Sequence, residues 1–64
     1  MLNILHWVTK NYTNYLDDCG CLNTTEISEE IICQYNIESS EEETVYEGVL
    51  YAQERLLARG LINL

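Results

Sequence analysis

The side chains able to do chemistry are few: one histidine, His6, and three cysteines, Cys19, Cys21 and Cys33, in a chain of 64 residues. A thiol and an imidazole can act as nucleophile and base, and four such groups can hold zinc. The spacing favours neither. Only Gly20 separates Cys19 from Cys21, whereas zinc-binding pairs have C-x2-C to C-x4-C or H-x3-H to H-x5-H spacing. His6 stands on a helical stretch with no acid close to it in sequence. A catalytic pair built from Cys19 or Cys21 would rest on a glycine turn, in a chain too small for a deep pocket. The sequence contains no glycine-rich phosphate loop and no metalloprotease motif. The expectation is a protein that is not an enzyme, with no catalytic residue, no metal and no cofactor. Three thiols cannot all pair within one chain, and "CGC" is too tight for an easy disulfide, so free thiols are expected. Cys33, beside Ile31 and Ile32, reads as a small, partly buried hydrophobe.

What remains is electrostatic. Eleven acids stand against Lys10, Arg55 and Arg59, giving a net charge of −8 at pH 7. Such a surface stays soluble, repels nucleic acid and anionic membranes, and attracts a basic protein groove over a Debye length of about 8–10 Å. Four of the acids, Glu41, Glu42, Glu43 and Glu47, fall in "SSEEETVYEG". Two aromatic residues lie off the apolar faces on a helical wheel. Tyr51 falls near Glu47, Arg55 and Ala58, and Trp7 falls among Asn3, Lys10 and Asn14. Exposed Trp, Tyr and Arg are enriched where interfaces derive most of their energy. Gly48 and Ala52 form a small pair that admits another helix, either the first helix of this chain or a second copy.

These residues must be positioned by helices, because proline is absent and glycine scarce. At ~100° per residue, Ile4, Leu5, Val8, Tyr12, Tyr15 and Leu16 share one face of a helix over about 2–16. "DDCGC" ends it: Gly20 can take positive φ, and the two acids oppose the helix dipole and favour fraying. A second helix over about 24–35 starts from the Asn23 cap, with Glu26 at capping-box spacing. Ile27, Ile31 and Tyr35 line it, Asn36 stops it, and Ile37 is expected to be a buried turn residue. The third, over about 40–59, starts at a Ser39–Glu42 or Ser40–Glu43 capping box. Val45, Val49, Ala52 and Leu56 form its centre line, widened by Tyr46, Leu50 and Leu57. Gly60 ends it, with Leu61 and Ile62 folding back. The expected fold is one all-α domain, residues 1–64, a small three-helix bundle. No stretch reaches the ~20 apolar residues of a membrane span. "MLNILHWV" lacks the marks of a secretory signal, so the expected location is cytoplasmic (the host cytoplasm if the source is viral).

"TTEISEEIICQYNIESSEEE" followed by "VLYAQERLLARGLINL" resembles the helix-turn-helix core of winged-helix proteins. Ile27, Ile31 and Ile37 match the short helix and turn; Val45, Val49 and Leu56 match the inner face of the recognition helix. Leu57, Gly60, Leu61 and Ile62 match the exit into the wing. The resemblance, from Asn23 to Leu64, departs from the pattern twice. The chain stops where the wing would begin, which implies a helix-turn-helix-like bundle with no wing. The positions that would read bases are Ser40, Glu41, Glu42, Glu43, Thr44 and Glu47, where phosphate contact calls for cations. The frame is similar to a DNA reader's and the charge opposes that use. The expected function is a small acidic protein-binding module. Glu41, Glu42, Glu43 and Glu47 would meet a basic partner surface, with Tyr51 or Trp7 as anchors. In size and charge it resembles virus- or mobile-element-encoded inhibitors of nucleic-acid-binding proteins, including anti-CRISPR and other DNA-mimic antagonists of host machinery. Two alternatives stand beside it. One is a dimeric DNA-binding transcription regulator acting through Arg55, Arg59 and Lys10. The other is a homo-oligomeric assembly subunit packing on its Gly48–Ala52 seam.

Overall fold

Helices form where apolar residues recur every three or four positions. The computed structural model describes residues 2–64, with α1 at Ile4–Asn11, α2 at Thr24–Gln34 and α3 at Glu42–Ala58. Short 3₁₀ turns occupy Tyr12–Tyr15 and Ser39–Glu41. The result is an all-α three-helix bundle of helix-turn-helix-like architecture, in which α1 and α2 both pack on α3. Its core is Val8 from α1, Ile27 and Ile31 from α2, and Val45, Val49, Ala52 and Leu56 from α3. Leu22 and Ile62 close it from the connecting segments.

The crossing of α1 over α3 depends on Gly48. A Cβ at that position would lie 2.8 Å from Ile4 Cδ1, well inside contact distance. Ala52, one turn on, is fully buried. The small pair therefore admits the chain's own first helix, and Gly48 is covered by Ile4 rather than left open for a second copy.

Two helices end in the same way, for the same reason. Asn36 sits at φ +55° and Gly60 at φ +71°. After α2, the Asn36 and Ile37 amides donate to the carbonyls of Cys33 and Ile32 at 3.4 and 3.0 Å. After α3, Gly60 and Leu61 donate to Leu57 and Leu56 at 3.0 and 3.1 Å. This Schellman pattern needs a residue that tolerates the left-handed region, which glycine and asparagine do best. At the start of α2 the Asn23 side chain accepts from the Glu26 amide at 3.0 Å. The return contact differs from a standard capping box. Glu26 Oε2 accepts from Asn23 Nδ2 at 3.1 Å, because the Asn23 amide donates to the Tyr15 carbonyl at 2.9 Å.

The first helix is shorter than its periodicity predicts. It stops at Asn11 rather than at Leu16, with Asn11 Nδ2 donating back to the Trp7 carbonyl at 2.8 Å. Leu16 is extended and forms an antiparallel bridge with Leu22. The loop between them is held rather than frayed. Asp17 Oδ1 accepts from the Cys19 and Cys21 amides at 2.9 Å each, and Gly20 takes φ +81°. The C-terminal tail fastens onto this loop. The Asn63 amide donates to the Gly20 carbonyl at 2.8 Å, and Asn63 Nδ2 donates to the Cys19 carbonyl at 2.7 Å.

Several side chains depart from the sequence reading. Neither Ser39 nor Ser40 caps α3. The Glu41 amide donates to the Glu38 carbonyl and the Glu42 amide to the Ser39 carbonyl, so a 3₁₀ turn satisfies the donors a capping box would have taken. Cys33 is exposed, two residues and hence roughly 200° around the helix from Ile31. Ile37 is half-buried rather than buried. Tyr35, Tyr46, Leu50 and Leu61 are exposed by 45%, 39%, 51% and 40% instead of joining the core. Trp7 is half-buried against the core, its ring centroid 6.0 Å from that of Tyr15, while it still lies beside Asn3 and Lys10 at the surface.

Candidate protein-binding face

Acids crowd the leading end of α3, and the arginines come only at its far end. Glu41, Glu43 and Glu47 are exposed, and Glu42 is half-buried. They sit at the helix end where the backbone dipole favours negative charge. Glu54 continues the row down the same side. Arg55 and Arg59 are exposed on the last turn and at the C-cap. The span from Glu42 to Arg59 is roughly 25 Å at 1.5 Å per residue. That exceeds two Debye lengths at physiological salt, so the arginines do little to neutralise the acidic end.

The aromatic candidates separate. Tyr51 is 52% exposed on the outside of α3, and the Arg55 guanidinium lies 6.0 Å from its ring centroid, at the outer limit of a cation–π contact. Trp7 instead lines an open groove of about 570 Å³ with Leu2, Asn3, His6, Lys10, Asn11 and Tyr35. No residue of α3 lines that groove, so Tyr51 is not part of it. Lys10 lines that groove from α1, whereas Arg55 and Arg59 stand at the end of α3.

A second groove lies where sequence reading placed core. Thr24, Thr25 and Ser28 of α2 face Tyr46 and Leu50 of α3 across a volume of about 210 Å³. Ser28 is buried and its hydroxyl donates to the Thr24 carbonyl at 2.8 Å, so the α2 side of the groove is built of small side chains. One signal could have found this groove. Leu50 lies roughly 130° around the wheel from the mean direction of Val45, Val49, Ala52 and Leu56, outside the arc one core can cover.

Two titrations are displaced, and both oppose reactivity. Desolvation raises the Tyr15 phenol above its ordinary value, with Glu30 and then Glu26 adding to the shift. Desolvation also raises the Cys21 thiol, helped by the Asp17 carboxylate and by Cys19. A thiol held protonated is a poorer nucleophile and a poorer metal ligand. His6 is exposed on α1, and among the described residues no three His, Cys, Asp or Glu side chains converge as a metal site. Among the same residues no helix is long and apolar enough to cross a membrane. No family model matches this chain, and no curated protein or solved structure shows significant similarity to it.

Proposed function

We propose that the protein is a non-enzymatic binding module whose acidic α3 meets a basic, nucleic-acid-binding protein. One observation carries the reading: Glu41, Glu43 and Glu47 project into solvent from the end of α3 that a helix-turn-helix protein would put into a major groove, and the arginines stand at the other end. Against DNA these acids would face phosphate, where each uncompensated charge weakens binding and no counterion-releasing cation is at hand. Against a basic groove the same row attracts and orients, raising the association rate as well as the affinity. A surface of this kind competes with nucleic acid for its partner. The reading therefore extends to a DNA-mimic inhibitor of the kind encoded by viruses and mobile elements, anti-CRISPR proteins among them. Three cations, Lys10, Arg55 and Arg59, against eleven acids offer less support for a dimeric DNA-binding regulator.

Affinity capture from the native host tests this with two baits, the wild type and a Glu41→Gln/Glu43→Gln/Glu47→Gln variant. The expected result is a basic nucleic-acid-binding partner that elutes with duplex DNA or salt and is lost from the variant. A partner retained equally by both baits and insensitive to DNA would overturn the proposal.

A further inference from the structure

The α2–α3 groove points to the kind of surface the partner presents. We infer that it receives a basic amphipathic helix; this rests on the acidic-module reading and names the partner's shape. The outer apolar row of α3 is Tyr46, Leu50 and Leu57, at i, i+4 and i+11, with Tyr46 and Leu50 exposed by 39% and 51% and Leu57 half-buried against the core. Glu43, Glu47 and Glu54 repeat that spacing three residues earlier, and all three are exposed. On the wheel each acid lies roughly 60° further toward solvent than its apolar counterpart. The two rows run side by side down α3, and their exposed apolar part, Tyr46 to Leu50, spans about 6 Å, roughly one turn of a facing helix.

That geometry selects among occupants. An apolar row with an acidic rim complements a helix carrying apolar residues at i and i+4 with Lys or Arg on the flank. Thr24, Thr25 and Ser28 form a low opposite wall that lets a helix lie against α3 without meeting a bulky side chain. A second copy of this chain would bring its own acidic rim and net charge of −8 against the same charges. Nucleic acid and an anionic lipid surface meet the same repulsion.

The test titrates isotopically labelled full-length protein with a synthetic Leu/Lys amphipathic helix of about five turns, followed by amide chemical shifts. Two controls accompany it: a scrambled peptide of identical composition, and a Leu/Glu version. The expected shifts fall on Thr25, Ser28, Tyr46 and Leu50, with the scrambled peptide binding at least tenfold more weakly and the acidic peptide not at all. Leu50→Asp lowers the affinity about tenfold with the helical circular dichroism unchanged. Tyr46→Ser does the same where Leu50→Asp disturbs folding, and Glu47→Lys/Glu54→Lys flattens the salt dependence. Shifts confined to the groove around Trp7, Lys10 and Tyr35 would overturn the inference. So would equal affinity for the scrambled peptide; if that peptide shifts Glu41 to Glu43, the acidic-module reading survives while the groove assignment fails. Saturable binding of duplex DNA by the same sample removes the broader reading instead.

Discussion

Two rows of apolar residues run along α3 at helical spacing, and the molecule treats them differently. Val45, Val49, Ala52 and Leu56 are at most 3% exposed, whereas Tyr46 and Leu50 are exposed by 39% and 51%. Both rows would pass as core in a sequence. What separates them is the supply of neighbours. α1 has only eight residues and crosses α3 beside Gly48, and α2 covers the adjacent arc. Two short helices cannot cover the whole apolar arc of a 17-residue helix, so its outer part stays in solvent. Composition and periodicity indicate how much apolar surface exists; the lengths of the partners decide how much is covered.

Truncating the inner row should have the largest effect. Leu56→Ala should cost about 2–5 kcal/mol through lost transfer energy and the cavity left behind. That is a large share of the stability of so small a domain, and chemical denaturation should find the variant largely unfolded or with a strongly lowered midpoint. A loss below 1 kcal/mol would mean that the two rows are not different in kind. Overfilling the α1 crossing comes next. Gly48→Leu should destabilise by about 1–3 kcal/mol, and less in an Ile4→Ala background, because the two side chains compete for one space. Equal costs in both backgrounds would show that Ile4 does not set the crossing.

The clasp between tail and loop is worth less. Asn63→Ala removes the bond to the Cys19 carbonyl and should cost about 1 kcal/mol, with faster amide exchange at Cys21 and Asn63. The pH dependence should be visible on the alkaline side only for the groups with raised values. Burial favours the neutral forms of Tyr15 and Cys21, so their contribution is complete below the unfolded values and is lost as pH rises through the higher folded ones. Denaturation midpoints should therefore fall above about pH 9, first as the Cys21 thiol ionises and then as the Tyr15 phenol does. Tyr15→Phe should flatten the later part of that fall; an unchanged slope would remove Tyr15 as its cause. The smallest effect is expected from Leu50→Ala, within about 0.5 kcal/mol of wild type. A cost approaching that of Leu56→Ala would place Leu50 in the core after all.

The sequence made the helix registers legible wherever one periodic face meets one core. The α3 centre line, the Gly60 stop and the Asn23 cap all rest on local rules of spacing and backbone conformation, and they hold at Val45 to Leu56, at Gly60 and at the Glu26 amide. What the sequence did not reveal depends on distant pairing. Tyr12 to Leu16 continues the first helix's pattern, yet the Leu16–Leu22 bridge and the Asn23 amide, which donates to Tyr15, draw that stretch out of it. Trp7 could not be placed against Tyr15 from a wheel that assumed an unbroken helix. Ser39 and Ser40 satisfied a capping pattern that a 3₁₀ turn made unnecessary. Of the candidate site, the exposed acids and Tyr51 were readable from position alone. The Tyr46–Leu50 groove was not, because its exposure follows from what α1 and α2 leave uncovered.

The proposal turns on the leading end of α3, where Glu41, Glu43 and Glu47 stand exposed and should repel DNA. Fluorescence anisotropy of a labelled duplex titrated with the wild-type protein at physiological salt tests it most directly. A flat titration into the high micromolar range is expected, with binding gained only when Glu41, Glu43 and Glu47 are changed to lysine. Saturable micromolar binding by the wild type, weakened by Arg55→Ala, would contradict it.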